Sequence, residues 1–82
     1  MTDSVLTQRV LDAAEVAQKN AYAPYSEFKV GAALLTATDE IYTGCNIENI
    51  NYTNTQHAEE LAIHKAVEDG HREFKGLALT LD

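Results

Sequence analysis

The sequence predicts an α/β layered fold, on three observations. Residues 4–20 and 56–69 repeat apolar side chains at three- and four-residue spacing, the period of a helix with one buried face. Residues 28–36 and 77–81 are short, apolar and extended in character. The elements occur in the order helix, strand, strand, helix, strand, which stacks helices against a sheet. With 82 residues the chain holds one small domain, close to the size at which a core sustains itself without disulfide or metal staples.

In the first helix Leu6, Val10, Ala13, Ala14 and Ala17 form the apolar stripe, and Ser4 or Asp3 can cap its start. It should stop near Asn20, because Pro24 disfavours a helical residue before it. Residues 21–26 then form a loop carrying Tyr22 and Tyr25. The first strand, Phe28 to Thr36, alternates Phe28, Val30, Ala32 and Leu34 with smaller or mixed residues, and Gly31 inside it marks close approach of another backbone or a ligand.

Residues 37–40 read as a turn and Ile41 to Thr43 as the returning strand, ended by Gly44. Asn46, Asn49, Asn51 and Asn54 fill the following loop, where asparagine suits tight turns. The second helix has Thr55 as its expected N-cap and Gly70 just past its end. Its apolar residues cover more than half its circumference, leaving a polar stripe at Glu60, His64, Glu68 and His71, both histidines facing solvent. Leu77 to Leu81 is the near-continuous apolar run of a strand inside a parallel sheet, which wants a neighbour on its open side.

Composition narrows the function. Hydrophobic residues make up 45% of the chain, an ordinary globular share. The formal charge of −7, from 13 acidic against 6 basic residues, argues against a nucleic-acid backbone as partner. It fits either an ordinary acidic surface or adaptation to high salt. No apolar run reaches membrane-spanning length, and the polar, acidic first residues are no signal peptide. A single cysteine, Cys45, precludes an internal disulfide and suits a reducing, cytoplasmic setting.

One pair stands out. His57 and Glu59 lie at the start of the second helix; a neutral histidine ring can ligate a metal, and a carboxylate beside it can carry protons. Two residues apart they stand about 200° apart around a helix, so they converge only off the helix end. A surface histidine and an acid in a first helical turn would look the same locally.

The surrounding motifs carry more weight. Phe28-Lys29-Val30-Gly31-Ala32-Ala33, Gly44-Cys45-Asn46-Ile47-Glu48-Asn49 and His57-Ala58-Glu59, in this order and spacing, resemble the zinc-dependent cytidine deaminases, and the likeness runs from about Val5 to Leu81. The resemblance implies a three-layer α-β-α domain with a mixed sheet. It implies His57 as a zinc ligand and Glu59 as the group that moves protons between water, pyrimidine and departing ammonia. It further implies Asn46 and Glu48 on the ribose hydroxyls and Phe28 against the base, although Asn46 could also simply cap its turn and Phe28 could be core. The family's partners would be a pyrimidine nucleoside and other copies of the chain, with pyrimidine salvage as the setting and the cytoplasm as the location.

Two departures are informative. Many members have cysteine at the place of His57, and an arginine at the place of Glu60; a histidine removes one negative charge from the zinc site, so a neighbouring cation is no longer needed. The Pro-Cys-x-x-Cys that supplies two further zinc thiolates should follow Leu81, and it is absent from these 82 residues. Cys45 cannot replace two thiolates, so the domain is expected to be incomplete at its C-terminal side. A non-catalytic remnant that folds, assembles or binds nucleosides is the alternative expectation.

Overall fold

The computed structural model describes residues 3–24, 27–48 and 57–81. Five elements follow in chain order: α1 (Asp3–Gln18), β1 (Val30–Thr36), β2 (Ile41–Cys45), α2 (Ala58–Glu68) and β3 (Phe74–Leu81). The strands form one sheet in the order β2-β1-β3, with α1 packed on one face and α2 on the other. The expected three layers and element order are present.

Each face has its own core. On the α1 side, Val10 and Ala14 pack with Ala33 and Leu35, joined by Leu6, Ile41 and Ala78. On the α2 side, Ala62 and Ala66 pack with Leu34, joined by Tyr42 and Ile63. Alanines dominate both seams, so helix and sheet backbones lie close, and two glycines take that closeness to its limit. A Cβ on Gly31 would stand 2.0 Å from the Ala14 carbonyl oxygen and 2.5 Å from the Gln18 nitrogen. A Cβ on Gly44 would stand 2.2 Å from the Ala58 carbonyl oxygen. Gly31 therefore seats the last turns of α1, as its position in a strand suggested, and Gly44 seats the first turn of α2.

Several boundaries differ from the sequence reading. The strand expected from Phe28 begins at Val30, because Glu27 lies in the left-handed region at φ 60° and the Asn46 side chain takes over the Phe28 carbonyl. Gly44 does not end β2. It pairs with Ala32, and Cys45 pairs with Gly31, because the strand must continue under α2. Cys45 is partly exposed.

The second helix starts later than expected. His57 occupies its N-cap in an extended conformation (φ −90°, ψ 148°) with no side-chain cap; Thr55, Asn49, Asn51 and Asn54 lie outside the described residues, as does Tyr25. Only Ala58, Ala62 and Ala66 are buried along α2, so its apolar surface is less covered than its composition suggested. At its other end Gly70, at φ 97°, donates to the Val67 carbonyl and His71 donates to that of Ala66. These two bonds are the Schellman closure that a left-handed glycine permits.

The last strand corrects one expectation, that residues 77–81 form a strand paired in parallel within this chain. β3 pairs antiparallel with β1, from Val30 opposite Leu81 to Leu34 opposite Leu77, and both described pairings are antiparallel. β2 and β3 are thus parallel to each other but separated by β1. The apolar run of β3 is also only half buried: exposure alternates along it, and its outer edge has no strand beside it among the described residues.

Candidate active site

The residues singled out in the sequence gather at one end of the sheet. Register sets this end: Val30 opens β1 opposite Leu81, Cys45 closes β2 opposite Gly31, and α2 begins on Gly44. The start of β1, the ends of β2 and β3 and the N-terminus of α2 therefore share one rim.

Asn46 is the structural hub of that rim. It is 8% exposed. Its side-chain Oδ1 accepts from the Val30 amide at 2.9 Å, and its Nδ2 donates to the Phe28 carbonyl at 2.7 Å. Its own amide donates to the Val30 carbonyl, and its carbonyl accepts from the Tyr22 amide. The Glu48 amide then donates to the Tyr22 carbonyl, closing a parallel bridge between Tyr22 and Ile47. One side chain thereby fixes the loops carrying Phe28 and Glu48 relative to each other. The Phe28 side chain is outside both cores and the residue is 44% exposed, while Glu48 is partly buried.

His57 and Glu59 stand at the start of α2. The His57 side chain is 64% exposed, and its Nε2 lies 3.9 Å from the Glu60 carboxylate. Glu59, the second helical residue, is partly buried. Because His57 keeps an extended backbone, it does not follow the 100° helical step to Glu59; the pair brackets the open helix end, where free amide groups favour anionic ligands. The expected zinc calls for three protein donors, and at this rim the described residues include no cluster of three potential donors. His57 fits one position of such a site; the described set does not complete it.

Three potential metal donors do lie together elsewhere. The ligand atoms of Glu40, Asp69 and His71 are all within 4.8 Å of one another. They sit beyond the other end of α2, whose 11 residues span roughly 16 Å, so they are not the site begun by His57. Their bonds give them a structural role. His71 Nε2 meets Glu40 at 2.8 Å, the Tyr42 hydroxyl donates to Asp69 and contacts Glu40 at 3.3 Å, and the Tyr42 and His71 rings lie 5.3 Å apart. This clasp ties the β1–β2 turn to the end of α2. It holds the Tyr42 phenol well above its ordinary pKa, through the hydrogen bond to Asp69 first, then partial burial and repulsion by the two carboxylates. The expectation of His71 as a solvent-facing residue on the stripe of α2 is corrected: its side chain is 18% exposed, because the Schellman turn folds it back against β2. His64 is exposed as expected. Nothing in the spacing of Glu40, Tyr42, Asp69 and His71 announced the clasp, which depends on a turn and a helix end meeting in space.

An α-β-α sandwich with a His-x-Glu pair at a helix start and an asparagine-held loop beside it defines a zinc-deaminase type of domain. Residues 4–82 match the family model described as the cytidine and deoxycytidylate deaminase zinc-binding region, and the chain belongs to that family. It is 49% identical over 75 residues to a cytidine deaminase of Sporosarcina psychrophila, covering 92% of this chain and 55% of that protein. A probable cytidine deaminase of Dictyostelium discoideum is 45% identical over 75 residues, covering 92% of this chain and 51% of that protein. The 1.6 Å crystal structure of cytidine deaminase from Burkholderia pseudomallei superposes with a TM-score of 0.88 at 40% identity, covering all of this chain (100%) and 63% of that one. The Mycobacterium tuberculosis cytidine deaminase structure gives 0.87 at 33% identity, covering 99% of this chain and 63% of that one. The chain thus spans about half the length of the curated relatives it matches.

Proposed function

We propose that this domain is the nucleoside-binding and proton-transferring part of a cytidine deaminase, converting cytidine or deoxycytidine and water to the uridine product and ammonia. The observation that carries this reading is the shared rim: the Asn46 loop, the His57–Glu59 helix start and the end of β3 all meet there. Zinc donors that followed β3 in sequence would enter at that rim. His57 would hold the zinc as one of its ligands, and the metal, when bound, would supply a water acidified towards neutral pH. Glu59, next to the helix start, would carry two protons in turn, one from the attacking water to the ring nitrogen and one from the resulting hydroxyl to the amino group, which departs as ammonia. Phe28 lies against the base. Glu48 and the second N–H of the Asn46 amide bind the ribose hydroxyls; Asn46 then has two duties, since its other N–H and its oxygen already hold the backbone.

The reading places the protein in pyrimidine salvage in the cytoplasm and makes it a homo-oligomer. No described helix is long and apolar enough to cross a membrane. A single polypeptide in which residues 1–81 are followed by the Burkholderia pseudomallei chain past its match to Leu81 tests the reading. Expected are about one zinc per chain and uridine formation from cytidine. Glu59→Gln should keep the zinc and lower turnover roughly 100- to 10,000-fold, the usual loss of a general acid–base, whereas His57→Ala should lose the zinc. Unchanged turnover in Glu59→Gln would refute the assignment. Residues 1–82 alone should hold no stoichiometric zinc and form no uridine, and if they do both, the remnant alternative and the incompleteness of the site are wrong together.

A further inference from the structure

The clasp at the far end of α2 gathers more negative charge than its bonds neutralise. Glu40 stands just before β2, Asp69 caps α2 and His71 follows it, with their ligand atoms all within 4.8 Å of one another. Neither carboxylate meets a lysine or arginine in any described ion pair. The cations nearest in sequence are used otherwise: Arg72 donates to the carbonyls of Val67 and His71, and Lys75 pairs with Asp39. The carbonyl end of α2 adds about half a negative charge at the same place. Both carboxylates are exposed, which keeps their repulsion small and leaves them open to an ion from solvent.

The donors have the chemistry and the spacing of ligands to a transition metal. Donors held at 2.0–2.1 Å from one ion stand about 2.9 Å apart along octahedral edges and about 3.4 Å apart along tetrahedral ones. His71 Nε2 and the Glu40 carboxylate are already 2.8 Å apart. The imidazole is held in that place, because the Schellman closure turns it back and its ring lies 5.3 Å from that of Tyr42. The Tyr42 hydroxyl donates to Asp69 and contacts Glu40 at 3.3 Å, so it orients both carboxylates as an outer partner orients metal ligands. An imidazole beside two carboxylates suits zinc, cobalt or nickel, whereas magnesium and calcium take oxygen ligands.

We propose that Glu40, Asp69 and His71 form an exchangeable site for a divalent transition cation, which pins the turn before β2 to the end of α2. The site shares no residue with the rim of His57 and goes beyond the proposed function, since it needs neither zinc nor turnover there. Its exposed carboxylates let the ion exchange, so the site empties when the protein is desalted with a chelator and is read by titration. Residues 1–82, so treated, are titrated with cobalt(II) chloride. Calorimetry should show one ion per chain, and paramagnetic shifts of the amide signals should centre on Tyr42, Asp69 and His71. Cobalt at a hundred times its dissociation constant should raise the folded-to-unfolded ratio in urea roughly hundredfold. His71→Gln keeps a donor toward Glu40 but removes the imidazole, and it should weaken binding about tenfold or more, as should Asp69→Asn. His57→Ala should leave both the affinity and the shifts as they are, and magnesium should not compete. Circular dichroism confirms that each variant folds, and the shifts locate the ion on the unsubstituted chain in any case. No binding, binding that survives both His71→Gln and Asp69→Asn, or shifts centred on His57 would each overturn the proposal. Uridine formation by a completed chain bears on the rim alone, so the two readings fail separately.

Discussion

At the scale of single residues, Asn46 is a structural bracket to which the proposed function adds a ligand role. Its buried amide holds the Phe28 carbonyl and the Val30 amide, two backbone groups with which a shorter side chain could not bond. Asn46→Ala should therefore lower stability by about 1–3 kcal/mol, the cost of unsatisfied buried polar groups, as well as weakening nucleoside binding in an active protein. Urea unfolding of residues 1–82, with no substrate present, separates the two effects. A wild-type midpoint would reduce Asn46 to a ligand contact alone. The sequence exposed Asn46 as a candidate through its motif but not its structural role, because nothing in Gly44-Cys45-Asn46 says that the side chain reaches back 16 and 18 residues to the start of β1. His57 shows the opposite limit. Its helix start was legible, but its place at the N-cap was shifted by two residues, since a threonine at position 55 is an equally good cap by local rules.

At the scale of elements, the helix–sheet seams decide the architecture, and they were legible where glycine and alanine are spaced for close packing. Gly31 inside an apolar strand signalled backbones in near contact, whereas Ala58, Ala62 and Ala66 read only as part of a broad apolar face and prove to be its buried seam. The direction of β3 was not legible, because a run of leucines suits any strand that is destined for cover on both faces. Gly31→Ala tests the first seam. The new methyl would meet the Ala14 carbonyl and the Gln18 amide, which are backbone atoms and cannot swing aside. The variant should lose about 3 kcal/mol or more, the upper range for overpacking, with α1 losing its hydrogen-exchange protection first. Wild-type stability would mean that α1 does not rest on β1 as described.

At the scale of the whole molecule, charge sets a condition on a thin core. The buried side chains are mostly alanines, and the largest fully buried one is Thr36, so each kilocalorie of surface repulsion counts. Against the excess of seven negative charges, the described Lys75–Asp39 ion pair engages one carboxylate, while Glu40 and Glu60 meet only histidines, and Glu15, Glu68 and Glu73 are exposed and outside any described ion pair. Long-range repulsion among such exposed carboxylates acts over about 30 Å at 0.01 M salt and about 3 Å at 1 M. Raising sodium chloride across that range should therefore stabilise the fold, by roughly 1 kcal/mol for a handful of like-charge neighbours worth a few tenths each. The same screening weakens the Lys75–Asp39 pair, but an exposed pair contributes little, so the net sign stays positive. Urea midpoints at low and molar salt measure the balance, with Lys75→Ala as the control that removes one attractive pair and should steepen the gain. A midpoint that does not rise with salt would rule out both net repulsion and adaptation to high salt, and would mean that the acidic surface serves solubility alone.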